Sequence, residues 1–150
     1  MTEQPNQTAI KFAYPDSLIA EYEHWLVLLR PAQATLGALV CVAKDKADAF
    51  SSLSPASFQE LASVTADVEH ALAQFTQYER INWLMLMMVD RDVHFHVLPR
   101  YSTSRSFAGL DFPDTAWPGP PDLAKAIKPE PEMMQTISQA IRALWPTRNK

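Results

Sequence analysis

The sequence predicts an α+β domain in which one long helix packs on an antiparallel sheet. Two observations carry that reading. Apolar runs come in close pairs, "HWLVLLR" with "ALVCVAK" and "INWLMLMMV" with "VHFHVLP", and a segment of helical periodicity lies between the pairs. No helix-sized stretch separates the members of either pair. Each pair is therefore a hairpin, and a doubly wound parallel sheet is excluded.

In chain order, the first strand is predicted over 24–30, stopped by Pro31, with His24 at its start. "PAQATLG" reads as a connection and 38–44 as the second strand. The helix follows: Ser54 is a good N-cap and Pro55 fits the first helical position, where its missing N–H costs nothing. Phe58, Leu61, Val64, Thr65, Val68, Leu72 and Phe75 then recur at three- and four-residue steps, a stripe wide enough to cover one sheet face. His70 falls off that stripe and reads as solvated. Strands at 81–89 and 93–99 are separated only by "DRD", which predicts a turn at Asp90 and Arg91. Six of the twelve prolines lie between Phe112 and Pro131, so 112–131 is expected to be an irregular arm. A closing helix over 132–145 would place Met133, Ile137, Ile141 and Leu144 on one face.

At 150 residues and 47% apolar content, the chain suits one domain spanning 1–150 with a core of its own. The net charge of −4 and the lack of a basic patch exclude long nucleic acid as a partner, whereas a small phosphorylated ligand needs only local donors. Cys41 is the only cysteine and lies in an apolar run, which rules out an internal disulfide and suits reducing cytoplasm. "MTEQPNQTAIKF" lacks the basic-then-apolar pattern of a secretory signal, and "WLVLL" and "LMLMMV" are too short to span a bilayer, so no membrane partner is expected.

Two of the four histidines stand two residues apart in "DVHFHVLPR". On an extended strand, alternate side chains share a face. Asp92, His94, His96 and Leu98 then fall together, while Val93, Phe95 and Val97 supply the core face. The imidazoles would stand roughly 6.5–7 Å apart. Such a pair can hold a phosphate, attack phosphorus or bind a metal. Equally, it can be two half-buried rings hydrogen-bonded to backbone.

"VHFHVLPR" closely resembles the signature of the histidine triad (HIT) family, His-φ-His-φ-His-φ-φ with φ apolar, often continued by Pro-Arg. Upstream, "TLGALVCVAK" resembles the family's Gly-His-φ-φ-φ-φ-Pro-Lys strand, followed as in the family by a polar segment and a long helix near "LSPASFQEL". The resemblance spans residues 24–101. It implies a five-stranded antiparallel sheet, pairing into a homodimer, no cofactor, and hydrolysis or transfer at a nucleotide α-phosphate through a nucleotidyl-histidine. It makes His94 the nucleophile and places His96 against phosphoryl or leaving-group oxygens. Asp92, Asn82 and Arg100 become candidate substrate-binding residues, and Ser102, Thr103 or Ser104 possible phosphate donors.

The sequence departs from that pattern in three places. Asp92 replaces the first histidine, and a carboxylate there would repel phosphate and raise the pKa of His94. Ala38 replaces the histidine after the upstream glycine. Asn82 precedes nine residues without the glycine and glutamine of the family's substrate loop. Three readings follow: a nucleotide phosphoester or phosphoramidate hydrolase, a nucleotide-binding protein that has lost turnover, and an Asp92/His94/His96 metal site.

Overall fold

A computed structural model describes residues 6–146; the first five and last four residues, which the expectation of one domain over 1–150 also spans, lie outside the described residues. The elements are α1 (Gln7–Lys11), β1 (Leu18–Glu21), β2 (Trp25–Leu29), β3 (Leu39–Ala43), a 3-10 turn at Phe50–Ser52, α2 (Pro55–Thr76), β4 (Arg80–Leu84), β5 (His94–Arg100), β6 (Arg105–Phe107), β7 (Leu110–Phe112) and α3 (Pro131–Leu144). Strands β1 to β5 form one antiparallel sheet in the order β1-β2-β3-β5-β4, and β6 pairs with β7 in a separate hairpin. The architecture is the α+β class expected, with a five-stranded antiparallel sheet.

One face of the sheet holds the main core. Trp25, Val27, Leu39, Cys41 and Val97 point to α2 and α3, meeting Val64, Val68, Leu72, Ile137 and Ile141. Each fully buried aliphatic side chain there contributes about 1.5–3 kcal/mol relative to exposure. Helix α2 begins as its sequence dictates: Ser54 Oγ accepts from Ser57 N at 3.1 Å, and Pro55 occupies the first turn. It ends at Gln77, which turns left-handed at φ 48°. The buried stripe is narrower than expected. Val64, Val68 and Leu72 are buried, joined by Asp67 and Ala71, whereas Phe58 is exposed. Phe58 lies on the first turn and stacks on Phe50 with ring centroids 5.4 Å apart.

The opposite face carries the histidines. At one end Leu26, Leu28, Val40 and Val42 are covered by Ala9 of α1 and by Phe12. At the other, Ala38 and Leu98 pack with Leu84, Leu123 and Ala126, so the proline-rich arm lies over this part of the sheet. Gln33 pins the β2–β3 connection through bonds to the carbonyls of Arg30 and Ala38 and from Gly37 N. Gly37 has φ +89°, a conformation a side chain resists.

Three expectations need correction. Strand β4 ends at Leu84 rather than 89, so the turn at Asp90 and Arg91 is the end of a longer connection over 85–93. In it Met87 adopts φ 49°, and Met88 and Val89 are 84% and 80% exposed. Strand β5 starts at His94, not at 92 or 93. Asp90 and Asp92 bond to Lys11 and Thr8, which draws the connection toward α1 and out of the sheet register. An apolar run records that residues avoid water, not which strand length they build. Third, the apolar runs located four strands, and the fifth that the resemblance implied is β1, while α1 and the β6–β7 hairpin had no counterpart in the sequence reading. No helix among the described residues is long and apolar enough to cross a membrane.

Candidate functional site

Alternation along β5 places His94, His96, Leu98 and Arg100 on the face away from α2, while Phe95 and Val97 join the core beneath it. The register sets Val42 beside His94, and Val40 and Leu84 beside His96. The two imidazoles converge, with centroids 5.2 Å apart and planes at 81°. That is closer than the spacing expected from strand rise alone.

His94 Nδ1 donates to the Asp92 carbonyl oxygen at 2.7 Å. A carbonyl only accepts, so Nδ1 carries a proton, and in the neutral ring the lone pair lies on Nε2. This neutral tautomer is the form an imidazole nucleophile needs. His96 takes the complementary role. Arg30 Nε lies 3.4 Å from His96 Nδ1, a long hydrogen bond, and a guanidinium only donates, so Nδ1 is the acceptor and Nε2 carries the proton. Burial holds His96 down to about 4, helped by the charges of Arg30, His94 and Lys11 and opposed by Asp90. His96 is therefore a neutral N–H donor at pH 7.

Asp92 meets this pair through its backbone, not its side chain. Its carboxylate is turned to the N-terminus of α1, accepting from Thr8 N at 3.2 Å and Thr8 Oγ1 at 2.9 Å. Among the described residues, no group of three or more His, Cys, Asp or Glu side chains is arranged to hold a metal ion. The metal reading of Asp92, His94 and His96 thus has no geometry behind it.

Arg100 and Asn82 form a second network at the far end of β5. The Arg100 guanidinium makes a two-point bond to Asp114, at 2.6 Å from Nε and 3.1 Å from Nη2, and also donates to Asn82 Oδ1 and the Gly119 carbonyl. This network floors a cleft of about 500 Å³ walled by Arg80, Trp117 and Pro118. Its hydrogen bonds tie the proline-rich arm to the sheet. Ser102 bonds to Glu79, and Thr103 accepts from Arg105.

Four residues near the histidines escaped the sequence reading: Thr8, Lys11, Phe12 and Arg30. Phe12 lies across both rings, with centroids 6.3 Å from His94 and 5.6 Å from His96. His94 is 2% exposed and His96 6% exposed under this cover. Arg30 was legible in principle, because Leu26, Leu28 and Arg30 alternate onto one face. Phe12 was not, since a five-residue helix is too short to show a period.

This arrangement defines the class. A five-stranded antiparallel sheet, a helix across one face and a histidine pair on the other make the histidine triad fold. Solved structures bear this out. The chain is similar to a histidine triad protein from Sinorhizobium meliloti 1021, with TM-score 0.74 and 21% identity over 94% of this chain and 96% of that one. A histidine triad protein from Bradyrhizobium japonicum superposes with TM-score 0.74 at 17% identity, over 95% of this chain and 97% of that one. A histidine triad nucleotide-binding protein from Sulfolobus tokodaii strain7, described as hypothetical, gives TM-score 0.66 at 18% identity, over 91% and 87%. No protein-family model and no curated protein matches the sequence.

Proposed function

We propose that this protein cleaves small nucleotide phosphoesters or phosphoramidates at the α-phosphate, with His94 as nucleophile. The observation that carries this is the 2.7 Å bond from His94 Nδ1 to the Asp92 carbonyl, which leaves the Nε2 lone pair for phosphorus. Attack forms an N–P bond as the P–O or P–N bond to the leaving group breaks. The carbonyl stabilises the positive charge that builds on the ring. His96, held as a neutral Nε2–H donor, is suited to a phosphoryl or leaving-group oxygen. Water then breaks the N–P bond, releasing the nucleoside monophosphate and restoring neutral His94. Splitting one displacement into two lowers each barrier.

A second reading, a nucleotide-binding protein without turnover, is favoured by the cover itself. Phe12 and α1 leave little of either ring open, and the Asp92 carboxylate is committed to Thr8. In either reading the ligand reaches the histidines only after α1 shifts. The similar protein described as nucleotide-binding supports a nucleotide phosphate as that ligand. Pairing as a homodimer is supported by β4, one of the sheet's two edge strands, and by the exposed Met88 and Val89 that follow it. The single, fully buried Cys41 suits a reducing cytoplasm.

Incubation with adenosine phosphoramidate and diadenosine polyphosphates separates the two readings. The hydrolase should release nucleoside monophosphate, and His94→Ala should lose at least about 1000-fold. Release that persists in His94→Ala would remove the nucleophile assignment. Nucleotide binding without release in the wild type would establish the second reading.

A further inference from the structure

We propose that Arg30 is the positioning residue of the site: it fixes His96 as an Nε2–H donor and supplies the positive charge against which an anionic ligand docks. This rests on the reading above that the histidine face is the ligand site.

Arg30 stands just past β2, on the same face as Leu26 and Leu28. Its backbone is fixed by Arg30 N donating to the Ala38 carbonyl at 2.9 Å and by its own carbonyl accepting from Gln33 Nε2 at 2.6 Å. From there the side chain crosses the intervening strand toward β5. Ala38, the residue before that strand, carries only a methyl and is packed with Leu98 under Leu123 and Ala126 of the arm. The guanidinium is anchored by Nη1 donating to the Ala32 carbonyl at 2.6 Å, and Nε reaches His96 Nδ1. Among the described residues Nη2 donates to no protein acceptor. A cation with unspent donors thus sits half-buried beside the histidine pair.

The other cations nearby do not share this position. Arg100 is consumed by Asp114, Asn82 and Gly119, and Lys11 is exposed and paired with Asp90. Burial also lowers the pKa of Arg30, the signature of a charge that lacks full solvation and that an incoming anion would restore. Arg30 remains charged at neutral pH. A phosphate seated against His94 and His96 would meet it directly.

Substitutions separate the two roles. In Arg30→Gln the amide nitrogen is the same number of bonds from the backbone as Arg Nε, so it keeps a donor for His96 and removes the charge. Arg30→Met removes both. Long-range proton–nitrogen NMR reads each histidine tautomer without any ligand, and titration with inorganic phosphate and with adenosine monophosphate reads anion affinity. The wild type and Arg30→Gln should show His96 protonated at Nε2, whereas Arg30→Met should show a mixture. Both variants should bind the anions about tenfold more weakly. A wild-type His96 protonated at Nδ1, or an Arg30→Met protein with unchanged tautomer and anion affinity, would overturn the proposal. A wild type with the expected tautomer that binds neither anion would overturn the docking role and the reading of the site, while upholding the positioning role.

Discussion

Replacing Phe12 with alanine tests the cover over the histidines. Phe12 is 8% exposed and packs on Ala9, Leu26, Leu28, Val40 and Val42, besides both imidazoles. Truncating a buried phenylalanine costs about 3–5 kcal/mol, and this one lies under a short helix that can relax, so about 3 kcal/mol is the appropriate figure. With a urea slope of about 2 kcal/mol/M, the midpoint should fall by about 1.5 M with the slope unchanged. The same loss weakens closure of α1 over the site. At a factor of ten per about 1.4 kcal/mol, the open population rises by up to about a hundredfold. Diethylpyrocarbonate, which acylates accessible neutral imidazoles, should then modify His94 and His96 at least about tenfold faster, read residue by residue by mass spectrometry. His70, exposed on α2, is the internal standard and should not change. A midpoint shift below about 0.3 M together with unchanged histidine rates would refute the cover.

Stability should also depend on pH through His96. In the unfolded chain it protonates near 6.5, and in the folded protein near 4, so between these values the unfolded state binds more protons. Its contribution is complete above 6.5 and is lost as pH falls toward 4. The interval is worth at most about 3 kcal/mol, nearer 2 after solvent screening, measured as the difference between wild type and His96→Gln in urea melts at pH 7 and 4.5. A variant that loses as much stability as the wild type would contradict it. Asp114→Asn should cost about 3–5 kcal/mol by leaving the buried Arg100 charge without its carboxylate, lowering the melting temperature by about 10 °C, while Asp122→Asn on the surface should change it little.

How much of this could be read from the sequence varies with the range of the forces involved. Helix α2 was legible because its cap, its Pro55 and a repeated apolar step all act within a few residues. The pairing of β2 with β3 and of β4 with β5 followed from short connections, and the shared face of His94 and His96 from strand geometry alone. The end of β4 was not legible. "LMLMMV" has the composition of a buried strand, and what pulls it out of register is Lys11 and Thr8, some 80 residues earlier in the chain. The partner of the Asp92 side chain was not legible for the same reason, since it is Thr8. Arg100 and Arg30 are both arginines at strand ends, and only tertiary neighbours distinguish them: Asp114 engages one, His96 the other.

Whether phosphorus bonds to His94 decides the function of the site. The direct measurement is a millisecond quench of wild-type protein with adenosine phosphoramidate into alkaline denaturant, where an N–P bond survives, followed by intact and peptide mass analysis. A nucleotidyl group on the peptide carrying His94, absent in His94→Ala, is the expected result. Turnover with that peptide unmodified, or a nucleotidyl group localised to His96 instead, would contradict the account.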